Sequence, residues 1–330
     1  MIRFGIVGTN WITESFIEAA SELNDFTLTA VYSRTKEKAE QFAQKHQVKT
    51  IFTSLEEMAA SDCIDAVYIA SPNSLHEKQA CLFMNNGKHV LVEKPMASNS
   101  KEVLLMIDTA KKNNVLLMEG IKSTFVPGFQ LIRDNLDKLG TIRRFVASYC
   151  QYSSRYDLYK NGTIMNAFDP TYSNGSLMDI GIYCIFPSVA LFGKPKQIKA
   201  NGYLLASGVD GEGSLLLKYD EMETVIIHSK ITNSSLPSEI QGEKGTMIID
   251  KLNPPERVKI NYHDGTNEVF TKELVNNPMY YEVEEFINLV KNNKLESRVN
   301  SYQNSFETAL IMEEARQQIG LVYPADTINR

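Results

Sequence analysis

Apolar and polar positions follow two rhythms that alternate along the first third of the chain. Short apolar runs at 3–7, 27–33, 50–52, 66–70, 90–92 and 116–119 read as strands. Between them, at 13–23, 36–46, 55–60, 74–86 and 101–113, apolar residues recur three or four apart and read as helices. The run Ala66-Val67-Tyr68-Ile69-Ala70 is apolar on both faces, as a central parallel strand must be. Alternation of this kind predicts a doubly wound parallel sheet.

Beyond residue 120 the texture changes. Strands are predicted at 142–152, 197–205, 213–219, 224–230, 246–249, 258–262 and 269–273, most joined by short polar turns such as Asp220-Glu221 and His263-Asp264-Gly265-Thr266. Consecutive strands with such turns build an antiparallel sheet. Helices are predicted at 128–138, 176–192, 280–292 and 301–319. The fold class is therefore α/β: an N-terminal doubly wound parallel sheet (1–120), then an α+β domain (121–330) with a large, mostly antiparallel open sheet. A broad sheet with helices on one face leaves the other to be covered, and self-association is the common solution. A homodimer or homotetramer through that sheet is expected.

Composition narrows the function classes. The chain has 330 residues, 43% hydrophobic and 22% charged, with a net charge of -6. No basic stretch is interleaved with aromatics, so nucleic acid is not an expected partner. The first strand begins at residues 2–4, leaving no room for a leader, and no apolar run approaches membrane-spanning length; a cytoplasmic protein with no membrane contact is expected. Cys63, Cys81, Cys150 and Cys184 are scattered through apolar stretches and read as reduced core residues.

Two segments carry candidate chemistry. In Gly5-Ile6-Val7-Gly8-Thr9-Asn10-Trp11-Ile12-Thr13 a strand runs into a glycine turn that opens a helix, whose N–H groups and dipole suit a pyrophosphate. Gly8, Thr9, Asn10, Trp11 and Ile12 are the candidate contacts. Asn10 stands where the usual pattern has glycine, and is expected in a left-handed backbone. The second strand ends in Ser33-Arg34-Thr35, with Lys36 and Lys38 behind, instead of the carboxylate that usually binds the ribose hydroxyls. Ser33, Arg34 and Lys38 therefore favour a 2′-phosphate, and NADP over NAD. The second segment is Val90-Leu91-Val92-Glu93-Lys94-Pro95, a strand that delivers a lysine to the carboxyl edge where such sheets bind ligands, with Pro95 restricting the backbone beside it.

Gly5-Ile6-Val7-Gly8, Ser71-Pro72-Asn73-Ser74-Leu75-His76, Glu93-Lys94-Pro95 and Gly175-Ser176-Leu177-Met178-Asp179-Ile180-Gly181-Ile182-Tyr183 occur in the order and spacing of the Gfo/Idh/MocA oxidoreductases. The chain resembles that family over nearly its whole length. The tyrosine at 183 resembles the dimeric dihydrodiol dehydrogenase and glucose–fructose oxidoreductase branch. The resemblance implies an N-terminal Rossmann domain that binds NAD(P) and a C-terminal domain that binds substrate and oligomerises. It implies hydride transfer at a secondary alcohol or carbonyl of a sugar, cyclitol or related diol.

Asp179 and Tyr183 lie four apart on a predicted helix and so share a face. By similarity Lys94, Asp179 and Tyr183 surround the reacting carbon. Tyr183 then exchanges the proton of the alcohol or carbonyl oxygen, Lys94 polarises that oxygen and favours the phenolate, and Asp179 orients substrate hydroxyls. Ser71, Pro72, Asn73, His76 and Glu93 would line the nicotinamide side, and Asn166 the substrate side; no metal is called for. The chain departs from its family at Thr124, where relatives carry arginine, at Ser173-Asn174-Gly175, where they carry glycines, and near Asn166, where they carry a basic residue. An altered substrate pocket is expected. Two other readings stay open: a regulator of the same fold that senses a nucleotide or sugar, and a reductase of a non-sugar acceptor.

Overall fold

The computed structural model describes residues 1–327. The described chain groups into two compact units, one comprising residues 1–97, 101–122 and 275–305, the other 98–100, 123–274 and the described residues from 306 on.

In the first unit, strands β1 (Ile2–Val7), β2 (Phe26–Tyr32), β3 (Thr50–Phe52), β4 (Ala66–Ile69), β5 (His89–Glu93) and β6 (Leu117–Gly120) form one parallel sheet in the order β3-β2-β1-β4-β5-β6. Helices α1 (Trp11–Ala20), α2 (Lys36–Lys45), α3 (Leu55–Ala60), α4 (His76–Asn85) and α5 (Ser100–Asn113) provide the crossovers. All four residues of β4 are buried, which is why its sequence is apolar throughout. The order reverses between β1 and β4, so their carboxyl ends open the crevice where doubly wound sheets take ligands. Residues 275–305 return to this unit, and their helix α9 (Met279–Lys291) packs against α1.

The second unit holds α6 (Pro127–Asp134), β7 (Ile142–Cys150), α7 (Tyr156–Lys160), α8 (Ile182–Phe192), β8 (Gln197–Leu204), β9 (Asp210–Lys218), β10 (Glu223–Ser229), β11 (Ser238–Gly242), β12 (Gly245–Ile249), β13 (Arg257–Tyr262) and β14 (Asn267–Thr271). Helix α10 (Tyr302–Ile319) follows, its first residues grouped with the first unit. The eight strands form one sheet, ordered β14-β13-β12-β11-β7-β10-β9-β8, antiparallel except where β7 pairs with β10. The α/β class and the large, mostly antiparallel sheet match the expectation from pattern.

Strand β11 is an addition to it. Ser238-Glu239-Ile240-Gln241-Gly242 offers a single apolar side chain, so its periodicity is too weak to read, yet it pairs with both β7 and β12. The predicted helix at 176–192 begins with a π-helical turn, Leu177–Gly181, before α8. One expectation is corrected. By length and composition Pro170–Phe192 could cross a membrane, but the window is 78% buried within the protein, as befits a core helix. The sequence pattern places a helix only at 176–192, because the polar Thr171-Tyr172-Ser173-Asn174-Gly175 before it reads as a loop, so the run falls short of membrane length there.

Candidate active site

The turn after β1 is built for close approach. Gly8 has φ +112°, and a Cβ there would lie 2.8 Å from the carbonyl oxygen of Ala70, so only glycine fits. Asn10 is not left-handed as expected. With φ −106° and ψ 178° it is the N-cap of α1: its Oδ1 accepts from the Ile12 and Thr13 N–H groups at 3.1 and 3.3 Å, and its Nδ2 donates to Ala70 O at 2.9 Å. Asparagine replaces glycine here because its side chain ties the turn to the end of β4. The glycine cradle, the helix amino terminus and their position at the switch point fit a dinucleotide, although a phosphate at α1 must share two N–H groups with Asn10. Thr9 is partly exposed and Trp11 is 65% exposed beside it. At the end of β2, Ser33 is buried and donates its N–H to Phe52 O at 3.2 Å, whereas Arg34 and Lys38 are exposed.

Lys94 is held from several sides. Glu93 Oε1 accepts from the Tyr68 hydroxyl at 2.6 Å, and its Oε2 accepts the Lys94 N–H at 3.3 Å. Glu119 Oε1 accepts the Met96 N–H at 2.7 Å. The His76 imidazole lies between the carbonyl oxygens of Pro95, at 2.9 Å, and Ser71, at 2.8 Å, and is fully buried. The ring therefore packs between the Lys94 turn and the Ser71-Pro72-Asn73 turn and, when neutral, donates its one N–H to whichever carbonyl its tautomer faces. Burial lowers its pKa, and Lys94 adds to that. Ser71 Oγ donates to Gln79 Oε1 at 2.6 Å, and Asn73 opens the short helix before α4, so both stand at the end of β4.

Below the turn lies a carboxylate cluster that sequence reading did not assemble. A methyl group on Gly120 would sit 3.6 Å from both Glu93 Oε1 and Glu282 Oε2. Burial raises the pKa of Glu93, against the Tyr68 hydrogen bond and the Lys94 and Lys122 charges. Burial, then the Glu93 charge, raises Glu282 well above the carboxylate range, while Lys122 opposes. Burial pushes Glu119 up to about 7. Lys122 is partly buried, and its charge opposes the rise at both Glu93 and Glu282. Glu282 left one signal: it falls on the same helical face as Met279, Val283, Phe286 and Ile287, where an acid is out of place.

The Asp179 and Tyr183 segment belongs to the second unit. Asp179 lies in the π-helical turn and Tyr183 in the first turn of α8, 7% exposed and edge-on to Tyr149 at 5.8 Å. Two groups anchor the start of this helix: Asp210 Oδ2 accepts the Leu177 N–H at 2.6 Å, and Ser176 Oγ lies 2.8 Å from His228 Nδ1. Asp179 Oδ2 is 3.0 Å from the ammonium of Lys230, a residue the sequence reading passed over. Its signal was strand alternation: Thr224, Ile226, His228 and Lys230 all point into the core. Asn166 is exposed and opens the short helix Asn166–Phe168. Among the described residues, no group of three or more His, Cys, Asp or Glu could hold a metal ion.

A doubly wound sheet with a glycine turn at its switch point and a braced lysine at a strand end defines a nicotinamide-dependent oxidoreductase architecture. Residues 2–121 match the oxidoreductase family model with the NAD-binding Rossmann fold, and 129–248 match the GFO/IDH/MocA C-terminal domain. The chain belongs to the Gfo/Idh/MocA family and is an NAD(P)-dependent dehydrogenase or reductase. It is 60% identical over 326 residues to scyllo-inositol 2-dehydrogenase (NADP(+)) IolU of Bacillus subtilis (strain 168), covering 99% of each chain. It is 33% identical to trans-1,2-dihydrobenzene-1,2-diol dehydrogenase of Xenopus laevis, covering 98% of this chain and 99% of that one. Among solved structures, KijD10, a 3-ketoreductase from Actinomadura kijaniata in complex with NADP and TDP-benzene, shares the fold with TM-score 0.83 at 22% identity, over 96% of this chain and 98% of that one.

Proposed function

We propose that this protein is an NADP-dependent dehydrogenase of a cyclitol or related polyol, oxidising a ring CH–OH to the ketone and reversing the step when the ketone is supplied. Similarity to a scyllo-inositol dehydrogenase at 60% identity supports the substrate class. The observation that carries the reading is the bracing of Lys94 by Glu93, His76 through Pro95 O, and Glu119 through Met96 N–H. A lysine whose backbone is held this way sends its side chain out from one fixed origin.

The nicotinamide ring, when bound, supplies the hydride chemistry. The chain's own residues do the rest. Gly8, Thr9, Asn10, Trp11 and Ile12 hold the pyrophosphate end, and Arg34 and Lys38 hold the 2′-phosphate, with Ser33 at the strand end. Ser71, Pro72, Asn73 and Glu93 shape the nicotinamide side, and His76 keeps that side in register. Tyr183 gives or takes the proton of the reacting oxygen, Lys94 polarises that oxygen and favours the phenolate, and Asp179 and Asn166 orient hydroxyls. In this reading residues 1–120 form the cofactor domain and 121–330 the substrate domain, and the protein works in the cytoplasm.

The test is turnover, read by absorbance of the reduced nicotinamide, with NADP and NAD against a panel of inositols, aldoses and diols. Cyclitol turnover with NADP supports the reading. Lys94→Ala and Tyr183→Phe should each lower kcat by about a hundredfold or more. Loss of less than about tenfold in both variants would remove the assigned roles.

Self-association through the large sheet is part of the proposal. Tyr203, Leu216, Ile227 and Val269 stand exposed at 61%, 49%, 37% and 47% on strands β8, β9, β10 and β14. Exposed apolar side chains spread along one face of the sheet, among charges such as Lys199, Lys218 and Lys259, favour a second copy. Light scattering should report a dimer or tetramer; a monomer overturns this part.

A further inference from the structure

Lys230 is 2% exposed and carries a charge into the interior of the second unit. Its three N–H donors face three acceptors: Asp179 Oδ2 at 3.0 Å, Ala167 O at 2.9 Å and Asn174 Oδ1 at 3.4 Å. The Phe168 ring lies against the same ammonium, 5.0 Å from its centroid. The lysine backbone is fixed as well, its N–H donating to Gly211 O at 2.9 Å and its carbonyl accepting from Ser153 N–H at 2.8 Å. One ammonium therefore joins three separate pieces of chain: the Asn166–Phe168 turn, the loop at Asn174 and the π-helical turn of Asp179.

Burying an ammonium costs several kcal/mol, and an apolar side chain of similar size packs a core without that cost. The charge makes sense where a carboxylate needs a fixed direction. Asp179 remains 37% exposed, so one side of its carboxylate rests on Lys230 while the group stays accessible to a ligand. Through Ala167 O the same ammonium sets the neighbouring Asn166, whose side chain is also accessible.

We propose that Lys230 is a positioning residue that sets Asp179 and the Asn166–Phe168 turn at a fixed separation, matched to two hydroxyls of one polyol ring. The proposal rests on the reading of Asp179 as a substrate-orienting group.

The experiment compares wild type, Lys230→Met, Lys230→Arg, Asp179→Asn and the Lys230→Met/Asp179→Asn double variant, with scyllo-inositol and NADP as probes. Lys230→Met should raise KM for the cyclitol about tenfold or more while KM for NADP stays within about twofold, and Lys230→Arg should recover part of the loss. In the Asp179→Asn background, Lys230→Met should raise KM by only about twofold, the share carried through Ala167 O and Asn166, because the larger share runs through the carboxylate and is already lost. An unchanged KM in Lys230→Met, or a further rise of about tenfold in the double variant, overturns the proposal. If Lys230→Met alone does not fold, the double variant, which removes both charges of the buried pair together, decides. A wild-type enzyme inert toward the whole polyol panel removes the functional reading and this proposal together; an active wild type with an indifferent Lys230→Met removes only the proposal.

Discussion

Glu119 accepts the Met96 N–H at 2.7 Å, two residues past Lys94, and so ties the end of β6 to the turn after β5. Burial raises this carboxyl from 4.5 to about 7, helped by the Glu93 charge and opposed by Lys94. Its folded-state value lies above its unfolded one, so the stability it contributes is full below pH 4.5 and is lost as pH rises through about 7. Glu119→Gln keeps the acceptor for Met96 and removes the titration. The variant should match wild type in acid and exceed it in unfolding free energy well above pH 7, by at most about 3 kcal/mol. Denaturant unfolding across that range measures it; identical pH dependences would show that Glu119 titrates normally.

Gly8 tests the dinucleotide turn. In Gly8→Ala the new methyl meets Ala70 O at 2.8 Å and Ala70 C at 3.0 Å, both main-chain atoms, at a φ of +112° that side chains avoid. The expected cost is about 1–3 kcal/mol of stability. Affinity for NADP should fall about tenfold or more, because the turn must open to relieve the clash. Quenching of Trp11, the sole tryptophan and one that stands beside this turn, reads the binding directly. Full affinity in a stable variant would show that the cofactor does not use this turn.

Legibility followed periodicity. Strands such as β4, apolar at every position, and the helices of the first unit could be placed within one to three residues because burial on both faces leaves a continuous apolar signature. The Lys94 strand end could be seen, but what holds it could not: His76, Glu119 and Tyr68 come from three other elements and converge only in space. Asn10 shows the limit of a residue preference. Asparagine tolerates a left-handed backbone and also caps helices, and the local sequence does not choose between them; the nearby Ala70 carbonyl does. Lys230 and Glu282 were legible in principle, each a charge on the buried face of a correctly placed element. A charge out of phase with its element marks where burial is sustained by a specific partner.

Arg34 should decide between the two nicotinamide cofactors. It is exposed at the end of β2, where a ribose-binding carboxylate would otherwise stand, and Lys38 follows on α2. A charge-assisted contact to the 2′-phosphate is worth about 1.5–3 kcal/mol. Arg34→Ala should therefore weaken NADP by about tenfold or more and leave NAD within about twofold. Calorimetric titration with both cofactors separates the outcomes; equal weakening of the two would assign Arg34 to adenine stacking instead.

Two buried groups at the start of the Asp179 helix titrate with opposite sign. Burial raises Asp210 from 3.8 to about 6, against the Leu177 N–H and the Lys230 charge, and burial lowers His228 from 6.5 to about 3. For Asp210 the folded value is the higher, so its contribution is full below pH 3.8 and disappears as pH rises through about 6. For His228 the folded value is the lower, so its contribution is full above 6.5 and is lost as pH falls toward about 3. Across most of that window the two slopes cancel. Asp210→Asn keeps an acceptor for Leu177 N–H and removes one slope, leaving the histidine's exposed. Relative to wild type, the variant should gain unfolding free energy steadily as pH rises from 3.8 to about 6, by on the order of 3 kcal/mol in total. A difference that does not vary with pH would mean that Asp210 is ionised throughout, with the nearby Lys230 ammonium as the group that keeps it so.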